Sequence, residues 1–541
     1  MTRASVSSIT IDGVSGTPAP EMSLFDFAET IGINVPTSCH KQGKCRECLL
    51  EIESGAECLT PPAPQESHLG GRFRLACRSH LAVPGEVRCH TLRRGSLRIE
   101  TETSGLSQEP HAVDPAVTRD GSHILLDGHS IAESDGPLHG LAIDIGTTTV
   151  AMRVYDLETG RLIATQSFEN PQRFGGSDIM ARIHFDGEHK GRLLQRTLLG
   201  YLSRAITALP VESTSIYEAV VVGNPTMRDL FNGLDVQGIG VIPYRSLTEA
   251  AFREGRAETT SMSLPAKRLR LPIHPEARVY SLPLVGSHVG ADAAACLLAT
   301  AIGEGDEVCA VMDIGTNTEV IMGNRRRLIG ASCPAGPAFE GGGVTYGMPA
   351  LDGAIERVKI RDDGRVEITV INGGEPVGIC GSGLVDLISE LRRTDHLNEQ
   401  GRFNEHDKGS FAVSAVNHIS LSEPDINELA QAKGANAAGL RVLADTYGVD
   451  LHHLDRLYLA GGFARYLDVD ASCRIGLVPD LPRDRIVKVG NAALEGAAIA
   501  LLSRTKRHAL EEMVKRVEHV RLETSAHFFN FFVDGCQFHT F

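Results

Sequence analysis

The sequence predicts a multidomain α/β protein, a small cysteine-bearing N-terminal domain followed by a duplicated α/β fold. Three observations predict it. LAIDIGTTT at 141–149 and AVMDIGTNT at 310–318, offset by 169 residues, each write an apolar run, an aspartate, a glycine turn and a threonine cluster, as two copies of one strand-turn-strand unit would. Cys39, Cys45 and Cys48 form a C-x5-C-x2-C run, with Cys77 following in RLACRSH. Between these features, residues 95–137 are rich in Ser, Asp, Gly and Pro and lose apolar periodicity, which reads as a linker.

Composition bounds the rest. A chain of 541 residues has length for two to four domains with packed cores. The net charge of −15 disfavours nucleic acid and anionic membranes as partners. The N-terminal MTRASVSSITIDG lacks the apolar centre of a signal peptide and no apolar run approaches ~20 residues, so the expected location is cytoplasmic. In that compartment the twelve cysteines read as ligands or buried thiols rather than disulfides. Cys58, Cys89, Cys296, Cys309, Cys333, Cys380, Cys473 and Cys536 lack ligand spacing and are expected to be small core residues.

The first domain is expected over 1–94. VSSITI at 6–11 alternates like a strand, Ser23 can cap a short helix LFDFAETI, and Gly32 ends it. Three thiolates on the following loop and a fourth from Cys77 can complete the four ligands of a [2Fe–2S] cluster, with small or polar intervening residues leaving N–H groups free to bond sulfur. A four-cysteine zinc site has similar ligand chemistry, but usually pairs two CxxC knuckles, and one is present. If all 43 residues of the linker were flexible they would span about 33–39 Å, enough for the first domain to swing.

A first nucleotide-binding segment is expected over 138–210 and the remainder over 211–541. Gly146 and Gly315 let phosphate oxygens approach the main chain, while N–H groups and the side chains of Thr147, Thr148, Thr316 and Asn317 donate to them. Asp144 and Asp313, at the strand ends, suit a hydrated Mg²⁺. In IYEAVVVGNPTMRDLFNG the minimum reading is a strand running into a helix capped by Asn224 or Thr226. Gly381 and Ser382, in CGSGLVDLISEL, stand where a helix N-terminus would meet an anion or the ribose end of a nucleotide. Gly461 and Gly462 follow the apolar strand LYLA. The phenylalanine-rich tail HFFNFFVDGCQFHTF reads as a terminal strand packed on the core, with a docking patch as the alternative.

Together these motifs resemble known families. The paired DxGTxT loops and the late strand-GG loop are similar to the sugar kinase, Hsp70 and actin superfamily of ATP-binding proteins. The cysteine spacing, flanked by strand, helix and strand, resembles the adrenodoxin-type ferredoxins. Across nearly the whole chain the order CxxxxxCxxC, DIGTTT, GNPTM, DIGTNTE, AGPAFEGGG, CGSGLVD, AGGF and GNAALEGA resembles the ferredoxin-fused ATPases called reductive activators of corrinoid proteins. The resemblance implies an N-terminal β-grasp [2Fe–2S] ferredoxin domain and a duplicated actin/Hsp70-like ATPase fold.

It also implies a function: ATP-dependent transfer of one electron from the cluster to cob(II)alamin of a partner corrinoid protein, regenerating cob(I)alamin, with an upstream electron donor and room for a homodimer. Cys39, Cys45, Cys48 and Cys77 would hold the cluster. Asp144 and Asp313 would position Mg²⁺ and water, the two hairpins would bind phosphates, and Gly461 and Gly462 would flank adenosine. Pro225 and Ala464 depart from the family pattern. The rival readings are an ATP-driven activator of a non-corrinoid redox enzyme, a ferredoxin-type carrier for an oxygenase, and a small-molecule kinase fused to a ferredoxin.

Overall fold

The computed structural model describes residues 7–33, 35, 41, 48–66, 69, 72–91, 113–404 and 409–541. Its N-terminal domain is a five-stranded mixed sheet in the spatial order Val14–Gly16, Ser8–Ile11, Glu86–Thr91, Leu49–Ser54, Phe73–Leu75. Ser8–Ile11 runs parallel to Glu86–Thr91 and the other pairs are antiparallel. The helix Leu24–Thr30 buries Leu24, Phe25, Phe27 and Ala28 beneath it. Ser23 caps that helix, its Oγ accepting from Asp26 N at 3.1 Å, which satisfies one of the orphan donors of the first turn. Gly32 follows with φ +77°. This is the expected β-grasp arrangement.

The stretch expected to be linker is only partly one. Residues 95–112 lie outside the described residues, but 113–137 folds as an antiparallel meander of Val117–Asp120, His123–Leu126 and His129–Glu133. Ile124 is fully buried and Val117 nearly so, in the same core as Leu138 and Leu157. Asp114 accepts from the Thr505 main-chain N–H at 3.1 Å and hydroxyl at 2.7 Å. The signal was present in the Asp120-Gly121 and Asp127-Gly128 pairs, which are hairpin turns between strands too short for periodicity to register.

The rest is a duplicated α/β fold, as expected. One sheet has the order Leu162–Glu169, Thr149–Asp156, His139–Ile145, Ile216–Gly223, Arg278–Ser281, Met262–Pro265. The other has Arg327–Cys333, Thr318–Asn324, Cys309–Ile314, Arg456–Ala460, Ile486–Gly490, with Val517–His519 added beyond Arg327–Cys333. In each, an antiparallel three-strand unit continues into two strands parallel to the first. The expected division at 210/211 therefore cuts through the first sheet, because Ile216–Gly223 pairs in parallel with His139–Ile145. Such pairing needs a long crossover and leaves no local mark.

Two small-residue helices, Ala291–Thr300 and Ala492–Leu502, pack together between the sheets. Seven of the eight cysteines without ligand spacing are core residues, and Cys536 is partly buried. The tail is not a strand. Phe528–Gly535 is a helix lying on the long helix Glu423–Tyr447, since phenylalanines three and four apart form a stripe only on a helix. Phe529 faces outward, 72 % exposed.

Candidate functional site

The two hairpins face each other across one cleft that opens to solvent. Each begins where a buried strand ends. Gly146 N donates to Thr149 O at 2.8 Å and Gly315 N to Asn317 O at 3.1 Å, closing the turns. All twelve residues expected at a nucleotide line this cleft: Asp144, Gly146, Thr147, Thr148, Asp313, Gly315, Thr316, Asn317, Gly381, Ser382, Gly461 and Gly462. Thr148 Oγ1 and Thr316 Oγ1, one from each hairpin, are 3.5 Å apart.

Behind the turns lies a group of carboxylates that sequence reasoning found only in part. Asp292, at the start of the helix Ala291–Thr300, and Glu319, on the second hairpin, join Asp144 and Asp313. Burial raises all four, Asp144 to about 7, Asp313 to about 6 and Asp292 to about 8. Charge repulsion from Asp313 adds to the shifts of Asp144, Asp292 and Glu319. Asn491 Nδ2 holds Asp144 Oδ2 at 2.9 Å. The Cys296 thiol, pushed up by burial and these charges, lies 3.8 Å from Asp313 Oδ2. Among the described residues no group of three or more His, Cys, Asp or Glu side chains is arranged so that together they could hold a metal ion; the four carboxyls form a buried acidic wall beside the phosphate turns.

Asn224 does two things at once. Its Oδ1 caps the helix Pro225–Asn232 through Met227 N at 2.9 Å, and its Nδ2 donates to Thr147 Oγ1 at 3.0 Å. Pro225 is therefore at the first helical position, where its missing N–H costs nothing.

The far end of the cleft is formed by closely packed glycines and two aromatic rings. A Cβ on Gly381, the first residue of the helix Gly381–Arg393, would meet Phe339 O at 2.0 Å and the Phe463 ring at 2.6 Å. Gly461, at φ +97°, passes so close to the second hairpin that a Cβ would meet Ile314 O at 2.5 Å. The Phe339 and Phe463 rings stack with centroids 5.2 Å apart, presenting apolar surface beside these glycines. Ala464, which departs from the family pattern, is fully buried in the core of the second half and does not itself line the cleft.

In the N-terminal domain, Cys48 and Cys77 are buried with their sulfurs 3.3 Å apart. Ala76 N donates to Cys48 O at 2.7 Å, tying the two segments. Behind Cys77, the buried Glu66 carboxylate accepts from Arg74 Nε at 2.9 Å and Leu75 N at 2.8 Å. Two buried sulfurs within reach of one iron fit half of a cluster's ligand set. Cys39 and Cys45 lie outside the described residues.

The two ends are physically linked. Asn170 N donates to Thr148 O at 2.7 Å and its Nδ2 to Gly146 O at 2.8 Å. Arg173, on the turn Asn170 caps, pairs with Glu169 at 2.5 Å and with the buried Glu51 at 3.0 Å. Glu51 is three residues from Cys48 and also meets Arg72 at 2.7 Å.

Comparison with known proteins agrees with this anatomy. Residues 307–540 match the family described as the C-terminal domain of RACo, the ASKHA domain. Residues 139–304 match the RACo middle region, and residues 9–82 the 2Fe-2S iron-sulfur cluster binding domain. The corrinoid activation enzyme RamQ of Eubacterium limosum is 28 % identical, over 94 % of this chain and 95 % of that protein. A [Co(II) methylated amine-specific corrinoid protein] reductase of Methanosarcina barkeri is 25 % identical, over 73 % of this chain and 76 % of its own length. Among solved structures, a reductive activator for corrinoid, iron-sulfur protein superposes with a TM-score of 0.71 at 27 % identity, covering 98 % of both chains. No helix among the described residues is long and apolar enough to cross a membrane.

Proposed function

The chain belongs to the RACo family of reductive activators of corrinoid proteins, and from that premise we propose that it uses ATP to drive one electron from a [2Fe–2S] cluster onto the cob(II)alamin of a partner corrinoid protein, regenerating cob(I)alamin for methyl transfer. The observation that carries this reading is the single cleft in which both Asp-Gly-Thr hairpins meet, in a chain that also buries Cys48 and Cys77 as a pair. Both named relatives act, by name, on corrinoid proteins.

A bound cluster would supply one electron at a time, and plant-type [2Fe–2S] clusters sit at roughly −400 mV. Cys39, Cys45, Cys48 and Cys77 would hold it. Cob(I) demands a lower potential, and each ~100 mV uphill costs about 2.3 kcal/mol per electron. A nucleotide cycle that favours one protein complex over another by about 5.5 kcal/mol inverts such an equilibrium. For that cycle, Thr147, Thr148, Thr316 and Asn317 with the turn N–H groups at Gly146 and Gly315 would grip the phosphates. Asp144 and Asp313 would position Mg²⁺ through its waters, and Gly381, Ser382, Gly461 and Gly462 would leave room for adenosine. An upstream reductase would recharge the cluster in the cytoplasm.

Two variants separate the halves of the reading. Asp313→Ala should keep the iron–sulfur spectrum and accept an electron from a chemical reductant, yet lose ATP-stimulated formation of cob(I) on a corrinoid partner. Cys45→Ser should do the reverse, keeping nucleotide binding and losing electron transfer. Wild-type activation by Asp313→Ala in the presence of ATP would refute the coupling.

A further inference from the structure

One carboxylate in the cleft stands apart from Asp144, Asp292, Asp313 and Glu319. Glu340 ends the turn Pro337–Glu340, and its position is set by that turn's closure, Gly341 N to Ala338 O at 3.0 Å and Gly342 N to Pro337 O at 2.9 Å. The same turn carries Phe339, stacked on Phe463 at the adenosine end. Glu340 therefore has little freedom to wander. Its Oε1 and Oε2 each accept from Thr148 Oγ1 at 3.0 Å, and Oε2 also accepts from Thr316 Oγ1 at 2.8 Å. A single carboxylate thus joins the hydroxyls of both hairpins.

Three fully buried glutamates of this fold each have basic partners. Glu218 is held by Arg278 and Arg507, Glu66 by Arg74, and Glu51 by Arg72 and Arg173. Glu340 takes part in no ion pair among the described residues; only the more distant Arg182 draws its charge. Burial raises its carboxyl, while the two threonine hydroxyls pull it back down. This half-buried carboxylate, held by two hydroxyls and by no ion pair among the described residues, faces the place where the two phosphate-binding turns converge.

We propose that Glu340 is the catalytic carboxylate of ATP hydrolysis, accepting the proton of the attacking water at the terminal phosphate. The assignment rests on the ATP reading above. A phosphate entering between Thr148 and Thr316 takes over their hydroxyls, and like charges cannot share them, so the carboxylate is left beside the phosphate at the reach of one water. As the water oxygen bonds to the γ-phosphorus, its proton passes to Glu340 and the bond between the γ-phosphorus and the β,γ-bridging oxygen breaks. ADP leaves with the bridging oxygen, and Glu340 returns its proton to the released phosphate or to solvent. General-base assistance of this kind is worth roughly 10²–10⁴-fold.

The test uses the full-length protein with its cluster in place. Calorimetry measures binding of Mg·ADP and of Mg with a non-hydrolysable ATP analogue, and phosphate release measures turnover. Glu340→Gln should bind both nucleotides within about threefold of wild type and lose on the order of 100-fold in turnover. In Glu340→Ala, added formate should restore turnover at least about tenfold, because a small carboxylate can occupy the vacated volume and take the proton. Should Glu340→Gln fail to fold, Glu340→Asp, which withdraws the carboxylate by one methylene, must show the same selective loss. Turnover within threefold of wild type in Glu340→Gln would overturn the assignment. So would a parallel loss of analogue binding and turnover, which would make Glu340 a structural tie. Wild-type protein that binds no nucleotide would instead overturn the ATP reading itself.

Discussion

Gly496→Ala tests whether the helix pair between the two sheets sets the geometry of the cleft. Gly496 lies in the helix Ala492–Leu502, and a Cβ there would come within 2.0 Å of Ala295 O and 2.5 Å of Ala295 C in the facing helix. To reach an ordinary contact of 3.4 Å the helices must separate by about 1.4 Å. Both obstructing atoms are backbone, so no side chain can yield. Overpacking of a core costs about 1–3 kcal/mol, sometimes more, and this contact belongs at the upper end. The better helix propensity of alanine offsets roughly 1 kcal/mol, leaving a net loss of about 2 kcal/mol. The two helices also start at functional residues, Asp292 on one and Asn491, which holds Asp144, on the other. The variant should therefore lose Mg·ADP affinity as well as stability. Urea unfolding followed by the melting of the C-terminal region, together with calorimetric ADP binding, measures both. Unchanged stability and affinity would refute the idea that this close approach positions the carboxylates.

Three further outcomes are expected. Arg173→Ala should destabilise docking of the N-terminal domain by about 2–3 kcal/mol, because it strips a partner from the buried Glu51; a double-mutant cycle with Glu51→Gln that shows coupling below about 0.5 kcal/mol would contradict this. Lys433 is buried on the long helix, bonded to the carbonyls of Gly535, Gln537 and Gly476, and burial pushes its ammonium down to about 7. Between that value and its ordinary value near 10.4 the unfolded chain binds the extra proton, so stability should rise with pH across this window. Lys433→Met should remove this contribution, making stability rise less between pH 7 and pH 10 than in the wild type, as urea titrations at the two pH values would show. Limited proteolysis should spare 117–133, since its strands are paired and Ile124 is buried; early cuts there would show the meander is not packed.

By itself the sequence determined the elements whose chemistry is local. The DIGT turns at 144–147 and 313–316, the Ser23 cap and the CxxC run are written in consecutive residues, because a turn, a cap or a ligand loop is built from neighbours. The 169-residue offset between the hairpins carried the duplication as well, since a repeat is legible without knowing what pairs with it. Other features depended on the tertiary structure alone. Strand 216–223 belongs to the first sheet through a parallel pairing across some 70 residues, and the short strands of 117–133 declare themselves only once Ile124 finds a core. Asp292, Glu319 and Asn491 look like ordinary positions in alanine-rich or threonine-rich stretches until folding turns them toward Asp144 and Asp313. Glu340 likewise sits in a glycine-rich run, and only the closure of two distant hairpins around one carboxylate gives it partners 24 and 192 residues away. The difference is physical: hydrogen bonds within a turn are decided by adjacent dihedrals, whereas the charge environment of a cleft is decided by which surfaces the whole chain buries against each other.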